Sequence, residues 1–222
     1  MAVFASYFAL AFGALLPVIN PVGSSLVFLG MVGPAPRKVF KTLARKIAFS
    51  TALFLLAMDL GGAAVLKLFG ISLPVVQLAG GLVLAAMGWE LLNKKEAPDL
   101  QDAAPPPADV AELQKEIFYP FTFPVTAGPG VLVVTLTLSA HASKGTLMQA
   151  LFAHLGVLAG VALMCIAVFI FYAYAPVITA KVPASTAHGI LRVIAFILLC
   201  IGVQIAWNGI GSLIRVGGFV PK

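Results

Sequence analysis

The stretch Pro17-Val18-Ile19-Asn20-Pro21-Val22-Gly23-Ser24-Ser25 lies inside an uncharged run from Met1 to Pro36 and puts helix breakers where helix formers are expected. Proline has no N–H and crowds the carbonyl four residues back, so Pro17 and Pro21 leave the carbonyls of Gly13 and Pro17 without helical partners. Lipid cannot satisfy them. A break at membrane depth is tolerated where it packs in protein or lines a watery cavity, which makes this stretch the first candidate for a functional site. The same residues restart a helix: Asn20 is a preferred N-cap, and Pro21 suits the first helical position. The new N-terminus carries about half a positive charge, and the half-helix before it ends in carbonyls of partial negative charge. A small zwitterion or an ion fits between them.

The surroundings decide the class of protein. Of 222 residues, 61% are hydrophobic and 10% charged, and the mean hydropathy is +1.05, far beyond a soluble domain. Uncharged runs from Met1 to Pro36, Leu68 to Trp89, Ile117 to Ser143, Gly145 to Ala180 and Val193 to Ile214 are each long enough to cross ~30 Å of hydrocarbon. Another run, Ile47 to Leu66, is interrupted by Asp59 alone. Six spans are therefore expected in an all-α integral membrane protein. The first run has no basic leader and no small-residue cleavage site, and it reads as a retained span.

The formal charge of +6 is read as a topology signal and not as a nucleic-acid footprint. Placing the loop after the first span in the cytoplasm puts Arg37, Lys38, Lys41, Arg45, Lys46, Lys94, Lys95, Lys115, Lys181 and Arg192 inside. It leaves Lys67, Lys144, Arg215 and Lys222 outside, with both termini periplasmic. Cys165 and Cys200 fall within spans, where small apolar packing is their ordinary use.

Residues 94–116 differ from the rest, with Lys94-Lys95-Glu96, three prolines from Pro105 to Pro107, and Asp99, Asp102, Asp109, Glu112 and Glu116. They read as a cytoplasmic linker, disordered to about Ala108 and then a short polar helix. The chain thus divides into a three-helix repeat at 1–93, the linker, and a second repeat at 117–222. After the linker, Tyr119-Pro120-Phe121-Thr122-Phe123-Pro124-Val125-Thr126-Ala127-Gly128-Pro129-Gly130 repeats the breaker pattern. Pro17, Val18 and Gly23 match Pro124, Val125 and Gly130 at one offset, while Asn20-Pro21 matches Gly128-Pro129 after a shift of one. Gly88 and Glu90 echo Gly202 and Gln204 more weakly. Three spans per repeat is an odd number, so the second repeat is inverted. Broken first and fourth helices at corresponding places are the pattern of a secondary transporter with a midplane site.

Five elements carry a family resemblance: Ile19-Asn20-Pro21-Val22-Gly23, Phe69-Gly70-Ile71-Ser72, Ala79-Gly80-Gly81, Phe123-Pro124 through Gly128-Pro129-Gly130, and Gln204 through Gly209-Ile210. Together they resemble the MarC/SnatA family of bacterial inner-membrane proteins. The resemblance implies six transmembrane helices and, for the SnatA branch, transport of small neutral amino acids such as glycine and alanine.

The candidate substrate-binding set is Asn20, Pro21, Gly23, Ser24 and Ser25 at the first break, with Thr126, Ala127, Gly128, Pro129 and Gly130 at the second. The competing reading makes both breaks kinks that let helices cross closely. Asp59 is a candidate for coupling to H+ or Na+ or else an interfacial residue near Lys67, because an ionisable group within a span is costly. Gln77, Gln204 and Asn208 are candidates for polar lining or for hydrogen bonds between helices. Glu90, His154 and Arg192 read as residues near span ends. No nucleotide-binding loop, metal-ligand spacing or activated nucleophile is present, so neither an enzyme nor a resident cofactor is expected. The partners expected are a small-molecule substrate and the bilayer, with a homo-oligomer compatible with both. A passive channel and a non-transporting membrane stress protein are the alternatives.

Overall fold

The structure, a computed structural model, describes residues 1–93, 110–143, 145–181 and 184–216. Residues 94–109, which hold most of the expected linker, lie outside the described residues. Helix α1 runs Ala2–Ile19, α2 Pro21–Val32, α3 Arg37–Leu68 and α4 Leu73–Asn93. The short helix α5, Val110–Lys115, leads into a π-helical segment at Ile117–Thr126, and α6 covers Pro129–Ala142. Then come α7 at Leu147–Ala173, α8 at Ala175–Lys181 and α9 at Ala184–Val216. Among the described residues, five spans meet the length and hydropathy of a bilayer crossing: Ala2–Val32, Arg37–Leu68, Leu73–Asn93, Leu147–Ala173 and Gly189–Arg215. The π segment and α6, bent by 73°, make the sixth. The chain is an all-helical integral membrane protein.

Local chemistry sets most of the boundaries. Val75 and Val76 donate their N–H groups to the Ser72 carbonyl, which starts α4 just after the serine, with Pro74 in its first turn. Thr146 accepts from Gln149 N–H while Gln149 returns a bond to the Thr146 N–H, a reciprocal cap that fixes the start of α7. Two boundaries differ from the ends of the uncharged runs. The last helix begins at Ala184, well before Arg192, because nothing between Ala184 and Arg192 breaks a helix beyond the single Gly189. The fifth span stops at Ala173, and Pro176 falls in the first turn of α8, where a proline is at home.

Contacts between spans give their directions. Val18 on α1 approaches Gly130 on α6, and Phe28 on α2 meets Phe121 of the π segment with ring centroids 5.5 Å apart, so spans one and four run antiparallel. Asp59 faces His154 near one end of α3 and α7, while Lys41 lies 5.3 Å from the Tyr174 ring centroid at the other, so spans two and five do as well. Along α4 and α9, a Cβ on Gly81 would stand 2.6 Å from the Gly202 carbonyl oxygen, and one on Gly202 2.7 Å from that of Gly81. Each span of the first half thus packs antiparallel to its counterpart, as inversion requires.

The contacts correct one detail of the repeat. A Cβ on Gly88 would meet Leu199 N and Ala195 O, and one on Gly209 would meet Leu78 N and Pro74 O in the same way. Gly88 therefore corresponds to Gly209 and Gly81 to Gly202, not Gly88 to Gly202. The expected echo was off by two helical turns, a slip that keeps the same face and so looks plausible in sequence. At the breaks, helix restart makes Asn20-Pro21 the counterpart of Gly128-Pro129, the match that needed the shift of one.

Candidate functional site

Asn20 sits in the left-handed region at φ 47° and ψ 68°, between a helix that ends and one that starts. Its N–H closes α1 on the Leu16 carbonyl at 3.0 Å, and its Oδ1 accepts the Gly23 N–H at 3.0 Å. Asparagine tolerates this conformation because its short polar side chain bonds locally. Gly23 belongs to the same device. A Cβ there would run into the Asn20 amide and Leu191 of α9, so the cap needs a glycine beneath it. The Ser24 hydroxyl donates to the Asn20 carbonyl at 2.9 Å and that of Ser25 to the Val22 carbonyl at 2.7 Å. Among the described residues, the Val22 N–H and the Asn20 Nδ2 make no hydrogen bond.

The second break is wider. Tyr119 and Phe123 adopt extended backbone, each before a cis proline, and the turns between them open to bonds spanning five residues. Ala127 N–H bonds the Thr122 carbonyl at 2.8 Å, and the Thr126 hydroxyl donates to the Phe121 carbonyl at 2.7 Å. Gly128 then caps α6 with its carbonyl, Pro129 takes the first helical position, and the Gly130 N–H is left without a partner among the described residues.

The two breaks meet. A Cβ on Gly130 would come within 3.3 Å of Val18 Cγ1 and would strike the Leu84 side chain of α4. Tyr172 on α7, fully buried, places its hydroxyl 2.9 Å from Thr126 Oγ1 and also faces the Ser24 side chain. Its ring stacks on Phe28 of α2 with centroids 4.5 Å apart. Ser25, Thr122, Thr126 and Ala127 are all at most 2% exposed, so the junction is closed to solvent. It holds hydroxyls, free N–H groups and proline-freed carbonyls, with no charged side chain.

The remaining candidates fall elsewhere. Pro129 is exposed, on the outside of the second break. Gln204 and Asn208 lie exposed on α9 and bond each other at 3.0 Å, away from the junction. Gln77 is buried, beside Gly209 at the α4–α9 contact. Asp59 is 2% exposed, and its Oδ2 lies 2.9 Å from His154 Nδ1, so it faces His154 rather than Lys67. Glu90 is exposed, as a residue near a span end should be.

Sequence reasoning missed Tyr172 and the pairing of His154 with Asp59. For His154 a signal existed: Asp59 lacked an opposite charge within its own span, and a buried carboxylate implies one. For Tyr172 none did, since Tyr172 and Tyr174 both lie near the end of the run Gly145 to Ala180, where an interfacial tyrosine is ordinary.

Residues 5–214 match the MarC family integral membrane proteins. The chain belongs to the MarC family. The UPF0056 membrane protein YvbG of Bacillus subtilis is 27% identical over 218 residues, covering 95% of this chain and 97% of its own. The UPF0056 inner membrane protein MarC of Escherichia coli is 29% identical over 225 residues, covering 90% and 92%. No solved structure matches the chain. As a MarC family member the chain carries its two breaks inside the matched region, so the junction belongs to the part it shares with these relatives.

Proposed function

We propose that this MarC family protein is a secondary transporter, working as an exporter of small neutral amino acids such as alanine and glycine, with no enzymatic activity. The observation that carries the reading is the meeting of two antiparallel breaks in a buried junction free of charged side chains. A zwitterion has one charge of each sign, so dipoles can match it without a buried ion. The N–H groups of Val22 and Gly130 and the Asn20 amide receive the carboxylate; the carbonyls of Pro17 and Val125, which Pro21 and Pro129 cannot serve, receive the ammonium. Leu84 and Val18 stand against Gly130, so a Cβ added there would fill the approach to its backbone. The resemblance to the SnatA branch supports the same substrates. The site of action is the bacterial inner membrane, as for the Escherichia coli relative, with both termini periplasmic.

Proteoliposomes loaded with unlabelled alanine or glycine test this by counterflow of the labelled amino acid. Saturable exchange is expected, reduced in Asn20→Ala and Tyr172→Phe and more strongly in Gly130→Ala. Flux without saturation or exchange would identify a channel. Parental exchange rates in folded Asn20→Ala and Gly130→Ala would make the breaks structural kinks.

A further inference from the structure

A second polar constellation lies away from the junction. Asp59 lies nine residues before the end of α3 and His154 in the second turn of α7, so both are set in from the end of the bundle that carries residues 69–72 and 143–146. His154 Nδ1 stands 2.9 Å from Asp59 Oδ2, and His154 Nε2 stands 3.2 Å from the Ser143 hydroxyl. That hydroxyl also reaches the Ser139 carbonyl at 3.0 Å, and the Ser139 hydroxyl donates to the Asp59 backbone carbonyl. The Asp59 side chain is fully buried, its Oδ1 has no partner among the described residues, and the His154 side chain is 20% exposed. Beside them is a hollow of about 340 Å³ bordered by Ala63, one turn beyond Asp59, and by Leu136 and Ala140, which flank Ser139.

We propose that Asp59 and His154 form a proton-binding site, loaded from this end of the bundle, whose occupancy drives the transport proposed above. The hydrogen-bond geometry serves both protonation states. In the unloaded pair His154 is neutral, its Nδ1–H donates to Asp59 Oδ2, and its Nε2 accepts from the Ser143 hydroxyl. A proton from water bonds the Nε2 lone pair, and the new Nε2–H donates to Ser143 Oγ. The Ser143 O–H then turns to the Ser139 carbonyl, already within reach. No heavy atom has to move, and the net charge of the pair goes from minus one to zero. A buried carboxylate with one bare oxygen is costly at membrane depth, and loading sets an imidazolium against it, so that the pair carries no net charge. Helix α6 links this site to the junction, since it starts at Pro129 and carries Ser139 near its other end.

Among the described residues, no other titratable group bonds the pair. Around it stand the N-terminal amino group and Tyr7 on α1, Lys67 on α3 and His141 on α6; His141 bonds the Thr137 carbonyl, and none of these groups is hydrogen-bonded or ion-paired to Asp59 or His154. Lys144 follows Ser143 in sequence, outside the described residues.

The coupling rests on the transport reading, so the test has two arms. In the first, ring ¹⁵N signals of protein in nanodiscs are followed between about pH 5 and pH 9 and assigned to His154 through His154→Gln. The His154 signals should titrate, along a different curve in Asp59→Asn; a signal that stays fixed over this range, or an unchanged curve, overturns the site. In the second, alanine accumulation is driven by a pH gradient across proteoliposomes. Coupled one-to-one, a gradient of about one unit sustains about tenfold accumulation. Asp59→Asn and His154→Gln should abolish accumulation while leaving equal-pH exchange at the parental rate. Accumulation retained in both folded variants overturns the coupling. Should either variant fail to fold, Ser143→Ala, altered at an exposed position, should slow gradient-driven uptake alone, and no slowing counts against the relay. If the parent moves no amino acid, the first arm still decides the proton site, and only the transport reading falls.

Discussion

Asn20 combines two requirements that few residues besides aspartate meet together: a positive φ and a side chain that caps the helix it starts. Alanine fails both. Losing the cap costs about 1 kcal/mol and holding a Cβ residue in the left-handed region about 1–2 kcal/mol more. Asn20→Gly keeps the conformation and loses only the cap. Thermal unfolding in detergent should therefore rank the parent above Asn20→Gly and Asn20→Ala lowest; equal midpoints for the two variants would mean that the backbone conformation is not the constraint. This position was legible in sequence because every relevant interaction is within four residues of it. Tyr172 was not legible, because its partners Thr126 and Phe28 are joined to it only by folding.

Among the elements, the π segment and the α4–α9 pair differ in how they could be read. Prolines at 120, 124 and 129 announce a broken fourth span, and the break is where they put it, between Thr126 and Pro129. The α4–α9 register has no local signature. Glycines at 81, 88, 202 and 209 mark a close contact, but which faces which follows from the packing of two helices far apart in the chain. Each of the four would set a new Cβ against backbone atoms, which cannot turn aside as a side chain can. Gly81→Ala and Gly202→Ala should each destabilise by about 1–3 kcal/mol, the usual cost of overpacking. Gly13→Ala, with nothing near its Cβ, should be neutral or slightly stabilising. Unfolding midpoints of the three variants check the contrast, and a Gly81→Ala protein as stable as the parent would mean that the seam is looser than it stands.

For the whole molecule, uncharged runs of bilayer-crossing length carried the count of spans and an odd number per half carried the inversion, so the architecture was readable without contacts. Orientation in the bilayer rests on the basic residues at the start of α3, where Arg37, Lys38, Lys41 and Arg45 border one hollow with Phe169. In a background lacking Cys165 and Cys200, Met148→Cys should react with an impermeant maleimide added to spheroplasts, and Lys38→Cys only after the membrane is opened. The reverse pattern would turn the protein over and make the Asp59–His154 end cytoplasmic. The paired site itself was half legible, since Asp59 stood out as a charge in a span and its partner did not.

The glycine seam also limits how the protein can move. Where α4 and α9 touch, backbone meets backbone, with no side chains to change rotamer and take up a shift. Sliding one helix along the other would have to lift them apart over every carbonyl ridge, so the pair behaves as a single beam to which both halves are fastened. Motion that opens the junction must then take place against that beam, where Leu84 and Leu191 reach from it to Gly130 and Gly23 through side chains that can bend.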